Sequence, residues 1–137
     1  MPAFGTAQID AVFSDRAVKA VKIGMLSHPD TISAVADGLE KYKQRKIVLD
    51  PVMVAASGDV LLAATAIGAL KRHLFPLATL LTPNLHEAAA LTGTAMARTE
   101  ADMLAQARQL LGSGAAAVLI KGGHGSGTDS VDLLVTA

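Results

Sequence analysis

Short apolar runs alternate along this chain with longer segments in which apolar residues recur every three or four positions. Four runs stand out, at residues 20–24, 47–50, 78–82 and 117–121, with a weaker fifth at 131–135. Each has the length of a buried strand. Between the first two, Ile32, Val35, Ala36, Leu39 and Tyr42 recur at helical spacing while Asp37, Glu40 and Lys43 fall off that stripe, which predicts an amphipathic helix over residues 30–43. Further helices are predicted over residues 61–74, 87–91 and 100–111. Gly93 ends the second of these; Thr99 caps and Gly112 stops the third. A helical pattern carried by Ile9, Val12 and Phe13 precedes the first strand.

Strands alternating with helices imply right-handed crossovers and a parallel sheet covered by helices, an α/β fold. In an open parallel sheet ligands collect beyond the carboxyl ends of the strands. The residues that finish each apolar run therefore carry the functional information: Gly24-Met25, Asp50-Pro51-Val52, Thr82-Pro83-Asn84 and Lys121-Gly122-Gly123-His124.

Composition narrows this picture. A chain of 137 residues holds one core, so residues 1–137 are read as a single domain. Apolar residues make up 51% but aromatics only 3%, so Ala, Val, Leu and Ile must fill the space between helices and sheet. Twelve basic and twelve acidic residues cancel, with no basic cluster interleaved with aromatics, which argues against a nucleic-acid partner. The absence of cysteine excludes a disulfide framework, a cysteine-based zinc site and a thiol nucleophile within these residues, and fits a reducing compartment. No uncharged run reaches membrane-spanning length, so the expected setting is cytoplasmic, with no membrane partner.

Lys121 follows Val118-Leu119-Ile120 and precedes two glycines, which would place an ammonium beside backbone that can approach a phosphate closely. An ordinary lysine snorkelling from a strand end explains the same residues. The lysine precedes its glycines, so this is not a Walker loop. Asn84 and Glu87 have the spacing of a helix capping box, which accounts for both without a ligand; alternatively the carboxylate organises Mg2+ through water. Asp50 ends a very apolar strand, where it is a turn former or a ligand-binding carboxylate. Ser57-Gly58-Asp59 reads as a turn and helix cap. His28, His73, His86 and His124 show no metal-ligand spacing, and no Gly-x-Ser-x-Gly elbow occurs. A lysine, two acids and an amide from three strand ends converge on one edge, a combination suited to phosphoryl transfer, where positioning and charge neutralisation do most of the catalysis.

The motifs Val21-Lys22-Ile23-Gly24-Met25-Leu26, Val48-Leu49-Asp50-Pro51-Val52-Met53-Val54-Ala55, Ser57-Gly58-Asp59, Leu81-Thr82-Pro83-Asn84-Leu85, Glu87 and Lys121-Gly122-Gly123-His124 occur in that order. Together they resemble the hydroxymethylpyrimidine/phosphomethylpyrimidine kinases of thiamine biosynthesis, within the ribokinase-like superfamily. The resemblance implies a three-layer α/β/α sandwich with a mostly parallel sheet, incomplete at both ends. It implies ATP and Mg2+ as cofactors, a small-molecule pyrimidine phosphorylated first at its hydroxymethyl group and then on the monophosphate, and a homodimer for the complete enzyme. By motif, Met25 and Val52 would line the pyrimidine pocket, Lys121, Asn84 and Asp50 would serve ATP and its phosphates, and Glu87 with Asp50 would serve the metal. Ala56 stands where relatives often carry a larger or polar residue.

Family members also carry a Ser-Gly-Gly-Ala-Gly-Ile-Gln-Ala-Asp segment and a Thr-His-Gly-Thr-Gly-Cys segment, neither of which occurs here. The second would supply helix N-terminal amides and the group acting on the substrate hydroxyl. The expectation is therefore an internal piece of such a kinase, with no catalytic residue of its own and no turnover alone. The alternatives are a pyridoxine or pyridoxal kinase of the same superfamily and a non-catalytic, truncated nucleotide-binding domain. A receiver-type signalling domain would need acids after its first strand, where this chain has Gly24-Met25.

Overall fold

A computed structural model describes residues 2–53, 62–123 and 128–137. The expected turn at Ser57-Gly58-Asp59, together with His124, lies outside the described residues. The chain opens with α1 (Pro2–Asp15) and proceeds through β1 (Val21–Ile23), α2 (Pro29–Lys41), β2 (Ile47–Leu49), α3 (Ala64–Ala69), β3 (Leu80–Leu81), α4 (Leu85–Thr92), α5 (Glu100–Leu111), β4 (Ala117–Ile120) and β5 (Leu133–Thr136). The five strands form one sheet in the order β1-β2-β3-β4-β5. The first four run parallel. The α/β expectation is met, with a mostly parallel sheet.

The fifth strand departs from the alternation. It pairs antiparallel with β4, from Ala117↔Thr136 to Ile120↔Leu133. The sequence between the two runs carries no helical pattern of the kind that returns a chain to start a parallel strand.

The sheet's side chains divide by face. Ile23, Leu49, Leu81 and Val118 are in register across four strands and are all buried. Ile32, Ala36 and Leu39 of α2, Leu85, Ala88 and Leu91 of α4, and Met103, Ala107 and Leu110 of α5 join them in one core. These helical residues recur at three- and four-residue spacing, so each helix contributes a single apolar stripe. On the opposite face Lys22, Val48 and Leu80 stand in register, and Leu119 opposes Leu134. Those positions are half-buried or exposed, and Leu134 keeps 60% of its surface.

Helix ends follow local chemistry. Both α4 and α5 start in complete capping boxes, Asn84 with Glu87 and Thr99 with Asp102. Gly93 ends α4 at φ 67°, a left-handed conformation that glycine adopts without steric cost. The helix expected over residues 61–74 begins at Ala64 and continues through a π turn (Leu70–Leu74) and a 3-10 turn (Phe75–Leu77). Pro76 is the physical reason: it has no N–H to donate, and its ring would clash with the carbonyl four residues back in a regular α-helix. The wider turn, closed by Phe75 N–H bonding Leu70 O, relieves the conflict.

The N-terminal helix docks on α2. Asp10 accepts hydrogen bonds from Lys41 Nζ at 2.8 Å and Tyr42 Oη at 2.7 Å, and Phe13 stacks on Tyr42 with ring centroids 5.0 Å apart. Val12 is 53% exposed rather than part of the apolar stripe. No helix among the described residues is long and apolar enough to cross a membrane.

Candidate functional site

The ends of β2, β3 and β4 bring the expected residues together. Asp50 follows β2, and its backbone N–H bonds Ile23 O at 2.9 Å, extending the ladder one residue past the strand. Lys121 follows β4 and forms a parallel bridge with Asn84, its N–H donating to Pro83 O at 2.9 Å. Residues 71 positions apart thus meet: Lys121 Nζ lies 3.3 Å from Asp50 Oδ1. The lysine side chain is 40% exposed and the aspartate 21%, so the pair sits at the rim of the sheet with its cation open to an approaching anion.

Asn84 and Glu87 occupy the neighbouring position. Asn84 Oδ1 accepts from Glu87 N at 2.8 Å, and Glu87 Oε2 accepts from Asn84 N at 2.8 Å. The capping role weighed from the sequence is present, and it uses the side chains of both residues. Glu87 is buried, which is unusual for a carboxylate at the start of a helix. Burial raises its pKa above the ordinary value; hydrogen bonds from the Asn84 and Met53 backbones oppose that rise, the charge of Asp50 adds to it, and Lys121 counters it. Glu87 therefore senses both members of the Asp50–Lys121 pair. One structural cap and one electrostatic cluster share these residues.

The two residues expected to line a substrate pocket are also at strand ends. Met25 follows β1 and is 49% exposed, a large apolar side chain left open at the same edge. Val52 is half-buried between the buried Pro51 and Met53, two residues beyond the Asp50 end of β2. Because Ile23 pairs with Leu49, Met25 and Val52 leave adjacent strands in the same direction.

Asp50 and Glu87 present hard carboxylate oxygens beside a cation and backbone amides. Two carboxylates suit Mg2+, which keeps several waters and takes its remaining ligands from substrate phosphates. Among the described residues no group of three or more His, Cys, Asp or Glu converges, so an all-protein metal cage is not what these side chains build.

Sequence reasoning missed Asp132. Its Oδ1 accepts from Gly122 N at 2.8 Å, fastening the residue after Lys121 to the start of β5. The only signal was an aspartate inside the weakest apolar run, residues 131–135, too common a pattern to single out.

Comparison with known proteins places the chain among kinases. A family model described as phosphomethylpyrimidine kinase matches residues 2–137. The chain is 56% identical over 128 residues to a hydroxymethylpyrimidine/phosphomethylpyrimidine kinase from Rhizobium meliloti, covering 93% of this chain and 48% of that protein. It superposes with a TM-score of 0.89 on the crystal structure of phosphomethylpyrimidine kinase from Clostridium difficile 630, at 40% identity, over 99% of this chain and 58% of that one. It is also similar to the pyridoxal kinase from Staphylococcus aureus in complex with AMP-PCP and pyridoxal, with TM-score 0.85 and 31% identity over 96% of this chain and 46% of that one. The chain spans about half the length of the curated relatives it matches.

Proposed function

Because the chain belongs to the phosphomethylpyrimidine kinase family, we propose that it supplies the nucleotide and metal half of a site that phosphorylates 4-amino-5-hydroxymethyl-2-methylpyrimidine and then its monophosphate. ATP is the phosphoryl donor, and the setting is thiamine biosynthesis in the cytoplasm, in an enzyme that works as a homodimer. The observation that carries this reading is the meeting of Lys121 and Asp50 at 3.3 Å, beside Asn84 and the buried Glu87.

Phosphoryl transfer asks the protein chiefly to place the reactants and to neutralise charge that spreads over the phosphoryl oxygens. Lys121 provides a cation at a strand end, held by the carboxylate of Asp50 until phosphate oxygens compete for it. When bound, Mg2+ would be held by Asp50 and by Glu87 through water, and would neutralise phosphate charge. Asn84 fixes the backbone from which Glu87 projects. Met25 and Val52 offer apolar surface to the pyrimidine ring. No cysteine is available in the chain to act on the substrate hydroxyl.

Calorimetric titration with MgATP tests this. The native chain is expected to bind, and Lys121→Ala to bind at least about tenfold more weakly, as follows from losing a charge-assisted contact to phosphate. The same substitution should hardly alter thermal stability, because a rim ion pair contributes at most about 1 kcal/mol. Equal affinity in the two proteins would defeat the assignment of Lys121.

A further inference from the structure

Lys121 is held by its neighbours on both sides. Its own N–H is fixed to Pro83 O at 2.9 Å, and the next N–H, that of Gly122, is fixed to Asp132 Oδ1 at 2.8 Å. Gly122 is buried, and a Cβ at that position would clash with Val131 O. The backbone of residues 131–132 therefore runs directly against Gly122, closer than any other residue type would permit. Beyond the last ladder pair, Ile120↔Leu133, the Asp132 carboxylate takes over the pairing that backbone carbonyls provide within the strands.

We propose that Asp132 is a positioning residue for Lys121: by holding the Gly122 amide it fixes the backbone from which the Lys121 ammonium is aimed at Asp50 and at the phosphates of a bound nucleotide. This rests on Lys121 being the phosphate-facing cation. It makes the residue that leads into the antiparallel strand β5 part of the site. A carboxylate suits the task because a hydrogen bond to an ionised acceptor is shorter and roughly twice as strong as one to a neutral acceptor. The single donor it holds is adjacent to the reactive lysine. Loosening it lets the Lys121 side chain sample other directions while Asp50, Asn84 and Glu87 stay in place.

The test compares Asp132→Ala, Asp132→Asn and Lys121→Ala with the native 137-residue chain, by hydrogen exchange at the Gly122 amide and by titration with MgATP. The asparagine retains an acceptor oxygen and serves as the rescue. Asp132→Ala should exchange Gly122 at least about tenfold faster and bind MgATP about tenfold more weakly, the size expected for one hydrogen bond to a charged group. Asp132→Asn should stay within about threefold of native in both, since it keeps the bond and loses only its charge assistance. If Asp132→Ala does not fold, Asp132→Ser, whose side chain is too short to make the same bond, replaces it. Native MgATP affinity in the alanine variant, with Lys121→Ala impaired, overturns the positioning role. Unchanged Gly122 exchange overturns the hydrogen bond itself. Native affinity in Lys121→Ala instead overturns the assignment of the lysine, a failure distinct from either.

Discussion

At Glu87 two demands meet in one side chain. Its carboxylate completes the cap of α4, yet it is buried and lies within reach of the charge on Asp50. Desolvation raises its pKa, so the folded protein prefers the protonated acid relative to the unfolded chain. The sign follows from proton binding: the folded state holds more protons between the ordinary glutamate value near 4.5 and the raised folded value. The contribution to stability is complete below that window and is lost as pH rises through it. Denaturant titrations from pH 4 to pH 8 should therefore show native stability falling relative to Glu87→Gln across the window. Parallel pH profiles for the two proteins would contradict this account of Glu87. The residues of the cluster were legible because each ends an apolar run or has capping spacing. Whether Asn84 and Glu87 cap a helix or attend a ligand was not legible, because the same residue types suit both tasks and spacing reports only the cap. Asp132 was invisible for a different reason: its partner is the backbone amide of Gly122, and a main-chain donor has no signature in sequence.

Among the elements, those with a strong period or a cap were read well, and those shaped by a neighbour were not. The stripe of α2 and the Thr99 cap of α5 are local properties, and both appear as expected. In α5 the Thr99 Oγ1 accepts from Asp102 N at 3.1 Å while Asp102 Oδ2 accepts from Arg98 N at 3.0 Å and Thr99 N at 3.2 Å. The Arg98 backbone bond leads the lowering of the Asp102 pKa, with the Thr99 side chain next. Thr99→Ala should cost about 1 kcal/mol in denaturant unfolding and leave MgATP affinity unchanged, because the exposed Thr99 side chain bonds Asp102 N of its own cap and none of Asp50, Asn84, Glu87 or Lys121. A loss of nucleotide affinity in this variant would mean that the α5 start is coupled to the site. By contrast, the π turn at Leu70–Leu74 depends on Pro76 further along, and the direction of β5 depends on what does not separate it from β4. Apolar runs mark strands without stating their direction.

For the whole molecule, the decisive feature is that one sheet edge collects side chains from three strands that are far apart in sequence, with Asp50 and Lys121 the clearest case. Alternating strands and helices made that convergence foreseeable, since parallel strands present their carboxyl ends together. The sheet's second face, with Lys22, Val48, Leu80, Leu119 and Leu134, was not foreseeable as less covered, because a run of apolar residues does not say which of its two faces the helices choose. The proposed role of these residues in holding nucleotide and metal is tested most directly by transplantation. The matching 128-residue stretch of the Rhizobium meliloti relative is replaced by the corresponding residues of this chain, and ATP-dependent phosphorylation of hydroxymethylpyrimidine is measured in the hybrid with and without Lys121→Ala. The account predicts turnover in the hybrid that falls at least about a hundredfold on removing the lysine, the loss typical of a transition-state charge contact. A hybrid that phosphorylates the pyrimidine equally well with alanine at position 121 would contradict it.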